Sequence, residues 1–353
     1  MLLNELRKKI TAIDTQLLDL ISKRAELVKN VGEVKISSDT HTYIPEREKQ
    51  IFENLKKQNH SSLSNESIVS IFTEIISACR SLETPLTVSY LGPEASFTHS
   101  AAIKKFGSSV NFVSQNSIDA IFYNVERNFS DYGVVPIENT TEGTVSYTLD
   151  KFANSKLKIV SEIELKISHS LLSKEDDINS IKKIYSHPQS FAQCKNWIIN
   201  NLKNVELIEV SSNSYAAKLS SNEPNSAAIS PKIAASRYNL NVLAESIEDS
   251  EHNSTRFFII GKNINAPSGH DKTSLMFSPK EKIGALYEIL RIFYNYNINL
   301  TMIESRPNKK ISWQYIFFID IEGHYENDII KKALEEIKNS STDFKILGSY
   351  PQK

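Results

Sequence analysis

The sequence predicts a multidomain protein with an all-α segment, an α/β segment and an α+β segment. At 353 residues the chain is long enough for two or three domains. Apolar positions three and four residues apart mark helices up to residue 84, and short apolar strands alternate with helices after residue 85. A βαββαβ order follows residue 271, as in ferredoxin-like folds. We therefore expect domains at residues 1–84, 85–262 and 272–353.

The composition excludes several classes of protein. A net charge of −1 and a pI near 6.7 give no basic excess, so we expect no nucleic-acid partner. The chain contains only two cysteines, Cys79 and Cys194, which excludes a disulfide scaffold and indicates a reducing compartment. No apolar run approaches the length of a membrane span, and the N-terminus lacks a signal-peptide core. We expect a soluble cytoplasmic protein without a membrane partner.

The N-terminal segment has the pattern of one long helix with a single apolar stripe. Arg24 interrupts that stripe, and a guanidinium there is costly unless an anionic group meets it. Two interpretations are open: Arg24 binds a ligand carboxylate, or it is a polar residue that fixes the register of packed helices. The apolar positions are Leu3, Leu6, Ile10, Ile13, Leu17, Leu20, Leu27, Val31 and Val34.

Helix geometry relates Arg24 to two other cations. Lys35 follows Arg24 by eleven residues, about 16 Å along the axis at 1.5 Å per residue, so both side chains can reach one ligand. Arg7 precedes Arg24 by seventeen residues, about 25 Å, which is too far to share a small ligand in a straight helix. If Arg7 binds the same ligand, it must come from a second chain. The hypothesis in that case is that the N-terminal helix contributes to an intertwined homodimer.

Two further helices are predicted before Pro85. Ile44-Pro45-Glu46-Arg47-Glu48 opens one helix with proline at its start, and Ser64-Asn65-Glu66 precedes another that extends to Glu83. On its pattern alone this three-helix unit is typical of an interaction bundle or a dimerisation element.

In the α/β segment, polar residues follow two predicted strands and lead into a third. These clusters lie in the segments 134–145, 185–194 and 253–261. Because ligands in α/β sheets bind beyond the carboxyl ends of strands, we expect the three segments to converge on one pocket. The predicted strands are Thr87 to Leu91, Val110 to Val113, Tyr132 to Ile137, Lys158 to Leu165, Ile181 to Tyr185, Val205 to Val210, Ala227 to Ser230, Val242 to Glu245 and Arg256 to Ile260.

The run from Leu157 to Ser168 is long for one strand and is expected to cross between two lobes, with a return near residues 244–250. A Walker A loop, a GxGxxG fingerprint and a GxSxG elbow are all missing from the sequence. The histidines and cysteines show no metal-ligand spacing, and His99, His169 and His187 are interpreted as structural. We therefore expect a cleft that works without a metal or cofactor.

The C-terminal segment follows a linker at residues 263–271 and has a βαββαβ order, which by itself implies no function. Its predicted elements are a strand at Thr273 to Phe277, a helix at Ile283 to Tyr294, strands at Ile298 to Ser305 and Trp313 to Ile321, a helix at Asn327 to Lys338 and a strand at Phe344 to Leu347.

These segments resemble a known family. The three polar segments are similar to the signature loops of prephenate dehydratase, and the whole chain resembles bifunctional chorismate mutase/prephenate dehydratase with a C-terminal ACT domain. The resemblance implies a helical mutase domain, a two-lobed dehydratase domain similar to periplasmic binding proteins, and a ferredoxin-like ACT regulatory domain. It also implies chorismate and prephenate as substrates, phenylalanine as allosteric effector, no cofactor, and a homodimer or higher homo-oligomer.

For the dehydratase, the resemblance implies that Thr255 assists departure of the substrate hydroxyl and that Arg256 binds a substrate carboxylate. Phe257 would support this pair, and Glu138 would be an acid–base or supporting group. The residues implied to position the substrate are Asn139, Ser186 and Gln193. A free threonine hydroxyl is a weak acid, so a neighbouring group must polarise it.

The loop from Leu91 to His99 departs from the family pattern. Ala95 and Ser96 stand where glycine and threonine are more usual. Ser96 keeps the hydroxyl, whereas Ala95 lacks the freedom of glycine to adopt a positive φ, which leaves the local loop shape open.

For the mutase, the resemblance implies a site that binds the carboxylates and ether oxygen of chorismate. A Claisen rearrangement requires only that the reactive conformer is held and the developing charge is stabilised. Ile44 stands where some members have aspartate, and Glu83 stands where several have glutamine. A glutamate donates to the ether oxygen only when protonated, so we expect mutase turnover to decline toward alkaline pH. The matching residues are Arg7, Arg24, Lys35, Arg47, Glu48, Cys79 and Glu83, of which Lys35 and Glu83 would be catalytic.

In the ACT domain, the resemblance rests on Gly284-Ala285-Leu286 and on Glu304-Ser305-Arg306-Pro307. In related enzymes these segments meet across a subunit interface and bind phenylalanine. A small residue at a helix start lets a carboxylate approach backbone N–H groups, although glycine and alanine also simply allow close packing.

Two alternatives to the bifunctional enzyme are open. One is a non-catalytic amino-acid sensor that dimerises through its helices. The other is a monofunctional prephenate dehydratase in which Ile44 and Cys79 mark a decayed mutase.

Overall fold

The computed structural model describes residues 2–37, 43–83, 85–250, 252–308 and 314–352, without the side chains of residues 35–37. The chain forms two compact units. One contains residues 1–87 and 103–111, and the other contains residues 88–102 and 112–353.

The smaller unit contains the three expected helices: α1 (Leu2–Ser37), α2 (Pro45–Gln58) and α3 (Asn65–Arg80). Pro45 starts α2, and the Ser64 hydroxyl caps α3 by accepting a hydrogen bond from the Ser67 N–H. Helix α3 ends before the predicted Glu83. Its last residues form a tighter turn, in which the N–H of Glu83 donates to the carbonyl of Arg80.

The apolar stripe of α1 lies exposed in the single chain. Leu6 is 49% exposed, Ile10 57%, Leu17 50% and Leu27 65%. Apolar helical stripes are normally buried against another element, so the exposed stripe of α1 is a candidate contact surface.

The larger unit contains three sheets, which follow the α/β and α+β classes that the sequence predicts. Their strands are β1 (Thr87–Leu91), β2 (Asn111–Gln115), β3 (Tyr132–Asn139), β4 (Gly143–Thr144), β5 (Lys158–Lys166), β6 (Ser170–Ser173), β7 (Lys183–Ser186), β8 (Glu206–Glu209), β9 (Ser226–Ser230), β10 (Asn241–Ala244), β11 (Ser254–Gly261), β12 (Asp271–Pro279), β13 (Leu300–Pro307), β14 (Tyr315–Glu322) and β15 (Ser341–Pro351). The further helices are α4 (Phe97–Phe106), α5 (Ile118–Glu126), α6 (Ser146–Phe152), α7 (Pro188–Gln193), α8 (Lys195–Asn201), α9 (Asn213–Ser220), α10 (Ile233–Tyr238), α11 (Ala285–Asn295) and α12 (Asp328–Ser340).

Two of the sheets form two lobes. The first lobe has the strand order β2-β1-β3-β11-β5 with β4 paired to β3, and the second has the order β10-β6-β9-β7-β8. The chain crosses between β5 and β6 and returns between β10 and β11. Both predicted crossings are therefore confirmed.

The C-terminal sheet has the order β13-β14-β12-β15, and α11 and α12 bury an apolar cluster against it. This sheet also shares an apolar core with the first lobe, and β15 packs on β5. The shared core includes Val135, Ile137 and Phe258 from the first lobe and Met276, Phe318, Leu347 and Tyr350 from the C-terminal sheet.

Three differences from the predicted elements stand out. The short strands β4 and β6 were not predicted, and β15 is much longer than the predicted run from Phe344 to Leu347, because it pairs with the whole of β12. The predicted start of β14 at Trp313 lies outside the described residues. Among the described helices, none combines the length and apolarity that crossing a bilayer requires.

Candidate active site

A cleft of about 460 Å³ lies in the larger unit, and both lobes line it. Its size is in the range of small-molecule sites. The cleft is reached by the last residues of β3, the first residues of β11, the loop before α4, and the starts of α7 and α9. The three polar segments therefore converge, as the sequence predicts. The lining includes Gly92, Ser96, Asn139, His169, Gln193, Asn213, Asn253, Thr255 and Phe257.

Asn139 and Thr255 form the best-defined pair in the cleft. The Asn139 Oδ1 accepts hydrogen bonds from the N–H groups of Thr141 (2.9 Å) and Glu142 (3.0 Å), which fixes the orientation of the amide. Its Nδ2 donates to the Thr255 Oγ1 and to the Asn253 Oδ1, both at 2.8 Å. Because the Thr255 oxygen accepts from Asn139, its own proton is available to a ligand in the cleft. The sequence did not identify this hydrogen-bond donor to the Thr255 hydroxyl.

Asn213 organises the opposite wall. Its Oδ1 accepts from the His187 N–H at 3.1 Å and from the Ser186 hydroxyl at 3.3 Å, and its Nδ2 donates to the Ser190 Oγ at 2.8 Å. Ser186 is fully buried and supports Asn213 from behind, so it does not itself line the cleft. Asn213 was not among the predicted site residues, although the polar run that follows β8 is the same signal that located the other segments.

Gln193 and His169 meet at the back of the cleft. The His169 Nε2 lies 2.8 Å from the Gln193 Oε1. Burial lowers the pKa of His169, which outweighs the opposite effects of Gln193 and Glu248. A neutral ring must donate through Nε2 to the amide oxygen, which leaves the Gln193 amide nitrogen as a donor for a ligand.

Helix N-termini supply the positive potential of the cleft, and Glu142 is the one carboxylate among its described lining residues. Among the described residues that line it, none is a lysine or an arginine. Residues at the starts of α4 and α9, including Ser96, Thr98, Ser212 and Ser214, face into it instead. Helix N-termini present unpaired N–H groups and a partial positive charge, so they favour bound carboxylates.

Arg256 lies on the opposite face of β11 from Thr255 and Phe257, because successive side chains in a strand alternate. Its guanidinium binds Glu162 (2.7 Å), Asp320 (2.6 Å) and the Tyr350 hydroxyl (3.1 Å). Arg256 therefore does not reach the cleft. The expectation that it binds a substrate carboxylate is corrected: it links the first lobe to the C-terminal sheet.

Glu138 is placed in the same way. It is the cross-strand partner of Arg256 and lines a separate cavity of about 330 Å³ together with Glu162, Arg256 and Lys272. It thus faces away from Thr255, and the expectation of an acid–base role in the cleft is also corrected.

Comparisons with known proteins agree with this architecture. The model of chorismate mutase type II matches residues 6–84, that of prephenate dehydratase matches residues 88–265, and that of the ACT domain matches residues 274–339. A bifunctional chorismate mutase/prephenate dehydratase from Aquifex aeolicus is 46% identical over 354 residues, covering 99% of this chain and 98% of that protein. The chain belongs to this bifunctional family.

Two further relatives support the assignment. A bifunctional chorismate mutase/prephenate dehydratase from Pseudomonas aeruginosa is 45% identical, covering 99% of this chain and 98% of that protein. The crystal structure of prephenate dehydratase in complex with L-Phe from Arthrobacter aurescens is 32% identical and superposes with a TM-score of 0.69. That comparison covers 76% of this chain and 90% of the Arthrobacter chain.

In the chorismate mutase unit, the predicted site residues are only partly assembled. Arg7 is exposed, Arg24 is partly buried, and the Arg24 Nη1 has no hydrogen-bond partner among the described residues. Glu83 lies against α1, because a Cβ added at Gly32 would be 2.9 Å from its Cγ. The side chain of Lys35 lies outside the described part of the chain.

The second mutase helix supplies a buried ion pair. Glu48 binds Arg80, a residue of α3 that the sequence analysis did not single out. The Arg80 Nη1 is buried and, within the described ranges, unpaired. Cys79, which directly precedes Arg80 in the sequence, is buried. Arg47 is exposed and donates a hydrogen bond to Gln50 of its own helix. Two buried guanidinium nitrogens that lack a partner, on Arg24 and Arg80, favour an anionic ligand in this unit.

In the ACT domain, the two predicted effector segments have different surroundings. Gly284 has a φ of 76° and immediately precedes α11, so its left-handed conformation explains the glycine at the start of Gly284-Ala285-Leu286. In the second segment, Ser305 and Pro307 are exposed, while Glu304 and Arg306 are partly buried and approach the dehydratase. Among the described residues, no group of three or more histidines, cysteines and carboxylates is arranged to hold a metal ion.

Proposed function

We propose that this protein is a bifunctional enzyme that rearranges chorismate to prephenate and converts prephenate to phenylpyruvate, carbon dioxide and water. The observation that carries the second activity is the 2.8 Å hydrogen bond from Asn139 to the Thr255 hydroxyl in the cleft. It makes Thr255 a polarised proton donor in a site of suitable size.

In the proposed dehydratase reaction, Thr255 gives its proton to the departing hydroxyl of prephenate, which leaves as water. The ring carboxylate leaves as carbon dioxide, and the electrons of the broken C–C bond complete the aromatic ring as the C–O bond breaks. The Asn139 amide stabilises the negative charge that develops on the Thr255 oxygen, and a proton from solvent restores the hydroxyl.

The substrate carboxylates are held by the N-termini of α4 and α9 and by side-chain donors such as Gln193 and Asn213. This arrangement suits the reaction. A lysine or arginine in direct contact with the ring carboxylate would stabilise the anion that must be lost, whereas dipoles and neutral donors hold it less strongly.

The proposed mutase reaction requires two copies of the chain. Arg24, Lys35 and Glu83 would hold chorismate, and Arg7 would come from the partner copy, whose α1 would cover the exposed apolar stripe. Burying a side chain of this size contributes about 1.5–3 kcal/mol, so the stripe favours such a homodimer. Arg47, Glu48 and Cys79 would complete or support this site.

We further propose that phenylalanine binds the ACT domain through Gly284-Ala285-Leu286 and Glu304-Ser305-Arg306-Pro307 and inhibits the dehydratase. The left-handed Gly284 opens the N-terminus of α11, where N–H groups would receive the amino-acid carboxylate. A cytoplasmic location is also proposed, which the two free, buried cysteines favour.

The test is to incubate the purified protein with chorismate and to follow prephenate and phenylpyruvate separately. Successive appearance of both products is expected, with phenylpyruvate formation slowed by phenylalanine. Turnover of added prephenate without turnover of chorismate would instead identify a monofunctional dehydratase. Turnover of neither substrate, with phenylalanine binding retained, would identify a sensor.

A further inference from the structure

Strand β13 of the ACT sheet presents two different faces. Met302, Glu304 and Arg306 are partly buried, whereas the residues between and beside them, Thr301, Ile303, Ser305 and Pro307, are exposed. This alternation is the normal consequence of strand geometry. One edge strand therefore carries both a face turned to the rest of the chain and a face open to solvent.

The inward face of β13 touches the dehydratase at three points. The Met302 Sδ lies 3.6 Å from the Nη1 of Arg256, the residue that directly follows Thr255 in the sequence. The Glu304 carboxylate accepts a hydrogen bond of 3.3 Å from the Thr144 hydroxyl. The Arg306 Nε lies 3.5 Å from the Asp150 carboxylate on α6.

The Thr144 contact leads directly to the cleft. Thr144 belongs to the short strand β4, which pairs with β3 so that Thr144 is opposite Glu138 and Gly143 is opposite Asn139. Asn139 in turn donates to the Thr255 hydroxyl at 2.8 Å. Two hydrogen bonds and one two-residue ladder thus connect the ACT strand to the proposed proton donor.

We propose that β13 controls the Asn139–Thr255 pair within the same chain, through the Glu304–Thr144 hydrogen bond and the hairpin of β3 and β4. A ligand that engages the exposed face of β13 shifts the strand, and Glu304 then draws the hairpin and Asn139 away from Thr255. Thr144 is accordingly a positioning residue that transmits regulation. The inference rests on the proposed function and deepens it by naming the element that carries the phenylalanine signal.

The decisive variant is Thr144→Val, which keeps the shape of the side chain and removes the hydroxyl that Glu304 binds. Phenylalanine binding to the full-length protein is measured by calorimetry, and dehydratase inhibition is measured on the same preparation, with the uninhibited rate of each variant as its own reference. Thr144→Val should bind phenylalanine as the wild type does, but saturating phenylalanine should lower its dehydratase rate at least about fivefold less than it lowers the wild-type rate, the lower end of allosteric couplings.

Two matched variants serve as controls. Thr144→Ser retains the hydroxyl and should restore the wild-type response. Thr141→Val makes the same change at an exposed position of the same hairpin and should leave inhibition unchanged.

The outcomes separate the inference from the proposed function. If saturating phenylalanine inhibits Thr144→Val as strongly as it inhibits the wild type, the inference is wrong and the regulation stands. If the wild type turns over prephenate but binds phenylalanine without inhibition, both the regulation and the inference are wrong, while the catalytic proposal stands. A Thr144→Ser variant as insensitive as Thr144→Val would also overturn the hydrogen-bond route.

Discussion

The dehydratase cleft and the mutase unit differ in how much of each site one chain completes. In the cleft, Asn139 and Thr255 come from neighbouring strands of the first lobe and Asn213 comes from the second lobe, and each has its hydrogen-bond partners in place. In the mutase unit, Arg7 is exposed and the apolar stripe of α1 is open to water. The comparison indicates that one folded chain assembles the hydrogen bonds of the first site, whereas in the second it leaves Arg7 and the α1 stripe open to water.

The largest effect that tests this comparison is expected from Thr255→Val. Losing the proton donor should lower dehydratase kcat by about 10²–10⁴-fold, the usual contribution of general acid catalysis. Mutase turnover should be unaffected, because Thr255 belongs to the other unit. Separate assays with prephenate and with chorismate measure the two rates. Thr255→Ser keeps a hydroxyl and is the matched control, and dehydratase turnover by Thr255→Val at the wild-type rate would remove Thr255 from its role.

A second large effect is expected from Arg256→Ala. The Asp320 side chain is fully buried, so removing the guanidinium leaves a buried carboxylate without its cation and should destabilise the larger unit by about 3–5 kcal/mol. Urea unfolding followed by the fluorescence of Trp197, which belongs to that unit, measures this. Breaking the exposed pair of Lys232 and Glu245 with Lys232→Ala should cost about 1 kcal/mol or less. If Arg256→Ala and Lys232→Ala lower the free energy of unfolding equally, the result contradicts a buried ionic link between the first lobe and the ACT sheet.

The proposed dependence of the mutase on a second chain predicts rescue by mixing. Arg7→Ala and Arg24→Ala chains should each be nearly inactive as chorismate mutases. If Arg7 and Arg24 of one site come from different chains, random pairing of the two variants regenerates about a quarter of intact sites. Mixing after mild dissociation should therefore restore about a quarter of the wild-type rate. No recovery, with mixed dimers demonstrated by a tag, would place both arginines on one chain.

The sequence located the cleft but not which side chains enter it. Polar residues next to β3, β7 and β11 located the segments that contain Asn139, Gln193 and Thr255, and the family resemblance singled out these three residues. In β11, alternation alone separates Thr255 from Arg256, but only the packing of the ACT sheet decides which face is the cleft. That packing is a tertiary contact between distant segments, which a local pattern does not contain.

The short strands β4 and β6 were also not predicted. Strand β6 begins at Ser170, soon after β5 ends at Lys166, and β4 has only two residues, so neither shows a separate period of its own. The helices α1, α2 and α3 were predicted closely, because long amphipathic segments with caps carry the strongest signal. Whether α1 is covered by a partner is a property of the assembly, and only the spacing of Arg7 and Arg24 pointed to it.

The smallest expected effect concerns the cleft loop before α4. Ala95 has a φ of 61°, so alanine takes a left-handed conformation there at a cost of about 1–2 kcal/mol, and its N–H donates to the His99 Nδ1. Ala95→Gly relieves that strain, but it also loses a buried methyl group and gives the unfolded chain more conformational freedom. The stabilising and destabilising effects on the free energy of unfolding should therefore nearly cancel. Ala101→Gly in α4 loses a fully buried methyl group and also helix propensity, and should cost about 2 kcal/mol. Urea unfolding of the two variants compares them directly. If Ala95→Gly lowers the free energy of unfolding as much as Ala101→Gly does, the left-handed conformation of Ala95 holds no backbone strain in the cleft loop.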